Sequence, residues 1–189
     1  MAITVKEHDL LGVKIILPNI HEDDRGFFSE LYNQRDLKNE GINFNFVQEN
    51  YSISYQKNTL RGLHAQLDPF AQTKLVRCAN GSFLDIFVDI RQDSSTYMQW
   101  SSEIISAKNK KQILIPEGFL HGFLTYEDNT EIVYKCSNFY SPRNEVSVLF
   151  NDEDLNIDWG IDDEASLLIS EKDKKGQLFR TLNNSFFKE

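Results

Sequence analysis

Apolar residues come in short runs along this chain, and polar turn residues interrupt them at close intervals. Val13 to Leu17 is one such run, ended by Pro18-Asn19. Ser82 to Ile90 alternates. As a strand it places Leu84, Ile86, Val88 and Ile90 on one face and Phe83 and Phe87 on the other. Further strands are predicted at Lys111–Ile115, before Pro116-Glu117-Gly118, and at Phe119–Tyr126, before Glu127-Asp128-Asn129. Two more fall at Glu131–Phe139, before Ser141-Pro142, and at Ser147–Phe150, before Asn151-Asp152. Short strands between Gly, Pro, Asn and Asp turns predict an all-β sandwich or barrel. Helix is scarce: a short one at Gln34–Asn39, stopped at Glu40-Gly41, and another at Ser170–Lys175. No repeat or Pro/Gly-rich linker divides the chain, so residues 1–189 are expected to form a single domain. Asn183 to Glu189 is polar except for Phe186-Phe187, so this tail either frays or docks through those two rings.

Composition narrows the function. With 40% hydrophobic and 26% charged residues the chain can bury a sizeable core. A net charge of -9 argues against nucleic acid or an anionic membrane as a partner, because both need a basic face. Two cysteines, Cys78 and Cys136, make neither a disulfide framework nor a zinc motif, and a reducing cytoplasm is the expected compartment. The opening MAITVKEHDL lacks the apolar centre of a signal peptide, and no run approaches a membrane span.

Candidate chemistry gathers at a few positions. His8 and His21 lie in polar segments and read as surface residues, whereas His64 and His121 sit among apolar residues and glycines. An imidazole in such surroundings needs a partner or a task, either in the core or in a site. Many β-barrel enzymes hold a metal through a His-x-His pair, but the residue two after His64 is Gln66, an amide and a poor ligand. No metal site is expected. Arg61 lies three residues before His64, so alternation puts it on the opposite face unless the strand bends at Gly62. Lys74 in a strand either snorkels outward or turns into a cavity, where with Arg25 and Arg61 it would suit a diphosphate. Tyr134 in a strand fills a core or donates a proton to an enolate. Gly-x-Ser-x-Gly, Walker and Gly-x-Gly-x-x-Gly motifs are absent.

Several segments, taken in order, resemble the dTDP-4-dehydrorhamnose 3,5-epimerase family. They are Asp23 to Glu30, Phe46 to Asn50, Leu60 to Gln66, Gln72 to Val76, Asp85 to Arg91 and Ile115 to Phe123. Tyr134-Lys135-Cys136, Tyr140-Ser141-Pro142 with Glu145, and Ser170 to Asp173 complete the set. The resemblance implies a cupin-type jelly roll with a few short helices. It also implies a homodimer without cofactor, acting on a dTDP-linked 4-keto-6-deoxyhexose. Within it His64 matches the base, Tyr134 the acid, Asp173 the carboxylate that orients His64, and Lys74 a group near the keto oxygen. Arg25, Glu30, Gln48, Asn50, Arg61, His121, Glu145 and Lys172 match substrate-binding positions, and Tyr140 the aromatic residue that stacks on thymine. The N-terminal strand at Thr4–Glu7 is expected to pair with another subunit's sheet edge. Ala65, Tyr51, Ile53, Phe150 and Gly160 depart from the family pattern without touching a matched catalytic group. They leave open a mono-epimerase or keto-isomerase acting on a related sugar. A non-catalytic cupin-like binding domain is the alternative outside enzymes.

Overall fold

Alternation along residues 82–90 sorts side chains into two separate layers, as the sequence predicts. Phe83 and Phe87 join Val76, Cys78, Ile113, Phe123 and Ile132 in one apolar cluster. Leu84, Ile86, Val88 and Ile90 join Leu60, Leu63, Leu120, Val148 and Trp159 in another. The computed structural model describes residues 3–161 and 163–182, so the C-terminal stretch from Asn183 lies outside the described residues.

In chain order the strands begin with β1 (Ile3–Glu7) and β2 (Lys14–Pro18), then a hairpin of β3 (His21–Asp23) and β4 (Gly26–Phe28). Helix α1 (Gln34–Asn39) follows, then β5 (Gln48–Ser54), β6 (Thr59–Gln66), β7 (Lys74–Asn80), β8 (Ser82–Asp89) and β9 (Trp100–Ser106). The rest are β10 (Gln112–Ile115), β11 (Phe119–Thr125), β12 (Thr130–Cys136), β13 (Glu145–Ser147) and β14 (Leu168–Ile169). One sheet has the order β1-β2-β10-β7-β12-β5, and the second β13-β6-β11-β8-β9, with β14 parallel to β6. The two sheets form an all-β jelly roll of cupin type, and the Phe83–Phe87 cluster is its interior.

Local chemistry explains the ends of the elements. Asn33 caps α1, its side-chain oxygen accepting from the Arg35 and Asp36 amides, and Gly41 turns the chain at φ +78°. Leu37 of α1 packs on Ile16, Leu75 and Leu114, which covers the outer face of the first sheet. Asp89 closes β8: its carboxylate accepts from the Arg91 guanidinium and from the Ser94 and Thr96 hydroxyls. Burial alone would raise the Asp89 carboxyl, but these donors hold it below the usual range.

Three expectations need correction. The strand expected to run to Phe139 stops at Cys136. The next strand is Glu145–Ser147 rather than Ser147–Phe150, because a 3-10 turn at Pro142–Asn144 feeds Glu145 directly against Gln66. Only Asp173–Lys175 of the second expected helix is helical, as one 3-10 turn. β1 pairs with β2 of its own chain and stands at the end of the first sheet.

Gly62 is where β6 breaks alternation. Pairing with β11 shifts register between His121–His64 and Phe123–Arg61, so one extra residue of β6 bulges out. The bulge puts Arg61 on the same inner face as His64. Gly62 sits at φ +111°, and a Cβ there would lie 2.6 Å from Gly122 Cα and 2.7 Å from His121 O. No side chain fits between strands that close. Gly62→Ala is therefore expected to lower unfolding free energy by about 3 kcal/mol, from strain plus overlap. Urea denaturation checks this; a change within about 0.5 kcal/mol would show that the bulge does not need glycine.

Candidate active site

One end of the interior between the sheets is polar. A cavity of about 560 Å³ opens there, with Arg61, His64 and His121 on its second-sheet wall and Lys74, Tyr134 and Ser52 on its first-sheet wall. A smaller hollow of about 100 Å³ shares His64, Lys74 and Tyr134 and adds Gln48, Asn50, Tyr140 and Glu145. The C-terminal segment Leu168–Asp173 closes the larger cavity.

His64 and Asp173 form the best-defined pair. His64 Nε2 lies 2.7 Å from Asp173 Oδ1. The Gly62 amide donates to Asp173 Oδ2, and the Ser170 hydroxyl accepts from the Asp173 amide. Burial would raise the Asp173 carboxyl, but the hydrogen bond and charge of His64, with Gly62 and Ser170, hold it below the ordinary carboxylate range. Asp173 is therefore an ionised acceptor. Nε2 is then the donor of the bond, so in the neutral imidazole the lone pair lies on Nδ1.

The other groups stand in different surroundings. Burial raises the Tyr134 phenol above its ordinary value of 10, with the Cys136 thiol adding to it and Arg61 and Asn50 opposing. At neutral pH this phenol keeps its proton. Burial lowers the Lys74 ammonium, while Cys136, Asp85 and Glu145 pull it back up. His121 lies directly across from His64 and shares a 2.6 Å hydrogen bond with Asp85, whose side chain is fully buried. Asp85 carried no role in the sequence reading. The signal was there, in an acid on the same inward face as Phe83 and Phe87.

Polar partners preorganise the smaller hollow. Gln48 donates to Asn50 at 3.1 Å and accepts from the Tyr140 amide at 3.0 Å. Asn50 donates to the Cys136 sulfur. The Tyr140 hydroxyl donates to Glu145, which also pairs with Lys172. Gln66 accepts from the Ser141 amide at 2.8 Å, so this amide fixes the turn before β13. Among the described residues no three His, Cys, Asp or Glu side chains gather as a metal-ligand set.

Eleven of the thirteen residues singled out in the sequence thus line these two spaces. Arg25 and Glu30 do not reach them within this chain. Arg25 is 89% exposed on the β3–β4 hairpin and pairs with Asp23, and Glu30 accepts from Asn33.

A model of the family described as dTDP-4-dehydrorhamnose 3,5-epimerase matches residues 7–181. The chain belongs to that family. A Shigella flexneri dTDP-4-dehydrorhamnose 3,5-epimerase is 45% identical over 172 residues, covering 90% of this chain and 93% of the relative. A Salmonella typhimurium protein of the same name is 50% identical over 148 residues, 78% and 80% of the two chains. The solved Legionella pneumophila dTDP-6-deoxy-D-glucose-3,5-epimerase, in complex with dTDP-4-keto-L-rhamnose, superposes with a TM-score of 0.90. It is 38% identical to this chain, covering 96% of it and 95% of its own length. In this epimerase-family chain, then, the resemblance drawn from scattered motifs extends over nearly the whole fold.

The depressed Asp173 carboxyl makes a pH statement. Its folded pKa lies below its unfolded one, so protonation favours unfolding. The stabilisation is complete above the ordinary carboxylate pKa of 3.8 and is lost as pH falls through the lower folded value. Asp173→Asn is expected to cost about 1–3 kcal/mol at pH 6. That difference should shrink as pH drops below about 4. Thermal melts from pH 3 to 7 check this, and a difference constant across that range would contradict it.

Proposed function

We propose that this chain inverts C3 and C5 of dTDP-4-keto-6-deoxy-D-glucose, giving dTDP-4-keto-L-rhamnose for dTDP-L-rhamnose synthesis. One observation carries the reading. An imidazole paired with a carboxylate and a protonated phenol line one cavity from opposite sheets. Epimerisation next to a ketone needs this opposition, because the proton leaves one face of a planar enolate and another arrives on the opposite face.

In the proposed mechanism His64 Nδ1 removes the proton from C3 or C5, and Asp173 stabilises the imidazolium. Lys74 donates to the enolate oxygen. Tyr134 delivers its proton to the far face, and exchange with solvent restores both groups. His121, held by Asp85, positions the sugar, while Arg61 and Lys172 at the exposed mouth meet the diphosphate. Tyr140 takes the base beside Gln48, Asn50 and Glu145. The steps use side chains alone and require no metal or other cofactor. Two unpaired buried thiols suit a reducing cytoplasm, and among the described residues no helix is long and apolar enough to cross a membrane.

Deuterium exchange tests the assignment. In deuterated water the wild type should exchange protons at both C3 and C5 of the substrate, and His64→Ala should exchange neither. Tyr134→Phe keeps the base and most of the ring packing, so the enolate still forms. That variant should exchange deuterium while inverting the carbons at least tenfold less efficiently (about 1.4 kcal/mol). Exchange at C3 alone in the wild type would make the chain a mono-epimerase. No exchange at either carbon would remove the reading.

We further propose a homodimer. Arg25 and Glu30, matched to substrate-binding positions, sit away from their own cavity on a hairpin that exposes Phe27 and Phe28. A second copy would cover those rings and could bring Arg25 to its site. Light scattering at micromolar concentration should give the mass of two chains. Phe28→Asp should shift that mass towards one chain and weaken turnover. A single-chain mass for the wild type would overturn the assembly.

A further inference from the structure

Among the described residues, four buried side-chain polar atoms have no hydrogen-bond partner: Ser52 Oγ, Ser54 Oγ, Ser147 Oγ and Asp85 Oδ2. Asp85 already serves His121 through its other oxygen. The serines divide by position, since Ser52 lines the large cavity and Ser54 and Ser147 do not. Along β5, Gln48, Asn50, Ser52 and Ser54 share the inward face. Asn50 pairs across the sheet with Tyr134, and Ser52 with Ile132. Ser52 is thus one inward step along the strand from the residue facing the acid.

A hydroxyl withdrawn from water with no partner costs about 1–3 kcal/mol. At Ser54 that cost has no visible return. Ser52 lines the cavity, where rotation about χ1, a motion of picoseconds to nanoseconds, can present the oxygen to a bound molecule. We propose that the Ser52 hydroxyl is a hydrogen-bonding contact for the hexose of the bound nucleotide sugar, an inference that rests on the function proposed above. The surroundings favour the hexose over the diphosphate. Ile132 and the neutral phenol of Tyr134 share this wall and Phe123 lies on the opposite one, whereas the cations Arg61 and Lys172 lie at the exposed mouth. A serine hydroxyl both donates and accepts, which suits the mixed hydroxyl and carbonyl oxygens of a keto sugar.

Ser54 supplies the internal control. Ser52→Ala and Ser54→Ala each delete an unpartnered hydroxyl, so neither should lower the melting temperature. Ser52→Ala should reduce kcat/KM for dTDP-4-keto-6-deoxyglucose about three- to tenfold, the worth of one neutral hydrogen bond. Its affinity for dTDP alone, measured by calorimetry, should stay within twofold of wild type. Ser54→Ala should change neither quantity. Unchanged kcat/KM in Ser52→Ala would overturn the proposal. A parallel loss of dTDP affinity would overturn it too, moving the contact to the nucleotide, and a fall in melting temperature would make the residue structural. If the wild type itself failed to turn over the sugar, the functional reading would fall first and the hexose contact with it.

Discussion

The hydrogen bond between His64 and Asp173 joins residues 109 apart in the chain, and the site is organised around it. It holds β14 and the segment after it over the mouth of the sandwich, where Leu168, Ile169 and Ser170 become cavity walls. It also settles which imidazole nitrogen carries the proton. An isolated histidine at this depth would be a desolvated polar group, and an isolated aspartate a desolvated charge. Together they form a satisfied pair with one lone pair left over. The Gly62 amide donates to the carboxylate and the Ser170 hydroxyl accepts from the Asp173 amide, so the geometry of Asp173 does not depend on the imidazole alone.

The second organising constraint is steric. β6 and β11 approach so closely at Gly62 and Gly122 that neither position has room for a side chain without displacing backbone. The approach sets His64 directly opposite His121, and the bulge brings Arg61 onto their face. Architecture then does the rest. A sandwich offers two walls, one from each sheet, and a planar enolate has two faces. Placing His64 on one wall and Tyr134 on the other sets an imidazole and a phenol opposite each other with no special loop, as the proposed base and acid require. Lys74 and Cys136, paired across the first sheet, complete a polar end in an interior that is otherwise apolar.

Burial gives these groups distinct chemical states. The Tyr134 phenol is pushed up and stays protonated, and the Asp173 carboxyl is held down and stays ionised. The same low-dielectric setting acts on both, and the sign differs because the hydrogen bonds and charge around Asp173 outweigh burial, whereas Arg61 and Asn50 do not outweigh it at Tyr134. Arg25 and Glu30 stand outside both cavities of the site. They match substrate-binding positions of the resemblance, yet Arg25 pairs with Asp23 of its own hairpin and Glu30 accepts from Asn33 in the following loop.

The sequence by itself determined the strand-rich architecture, the sorting of residues 82–90 into two layers, the helix at Gln34–Asn39 and most of the residues around the cavity. These are local facts: alternation, turn residues and capping act over a few positions, and motif identity needs no geometry. It misplaced the strand after Pro142 and overextended the helix near Asp173, because pairing with β6 and the pull of His64 outweigh local preference there. Arg61 shows the division most clearly. Alternation alone sends it to the wrong face, and Gly62 could only raise the question. Only the tertiary structure decided it, because a bulge forms where a second strand comes too close for a side chain, and that distance is not written in either strand alone.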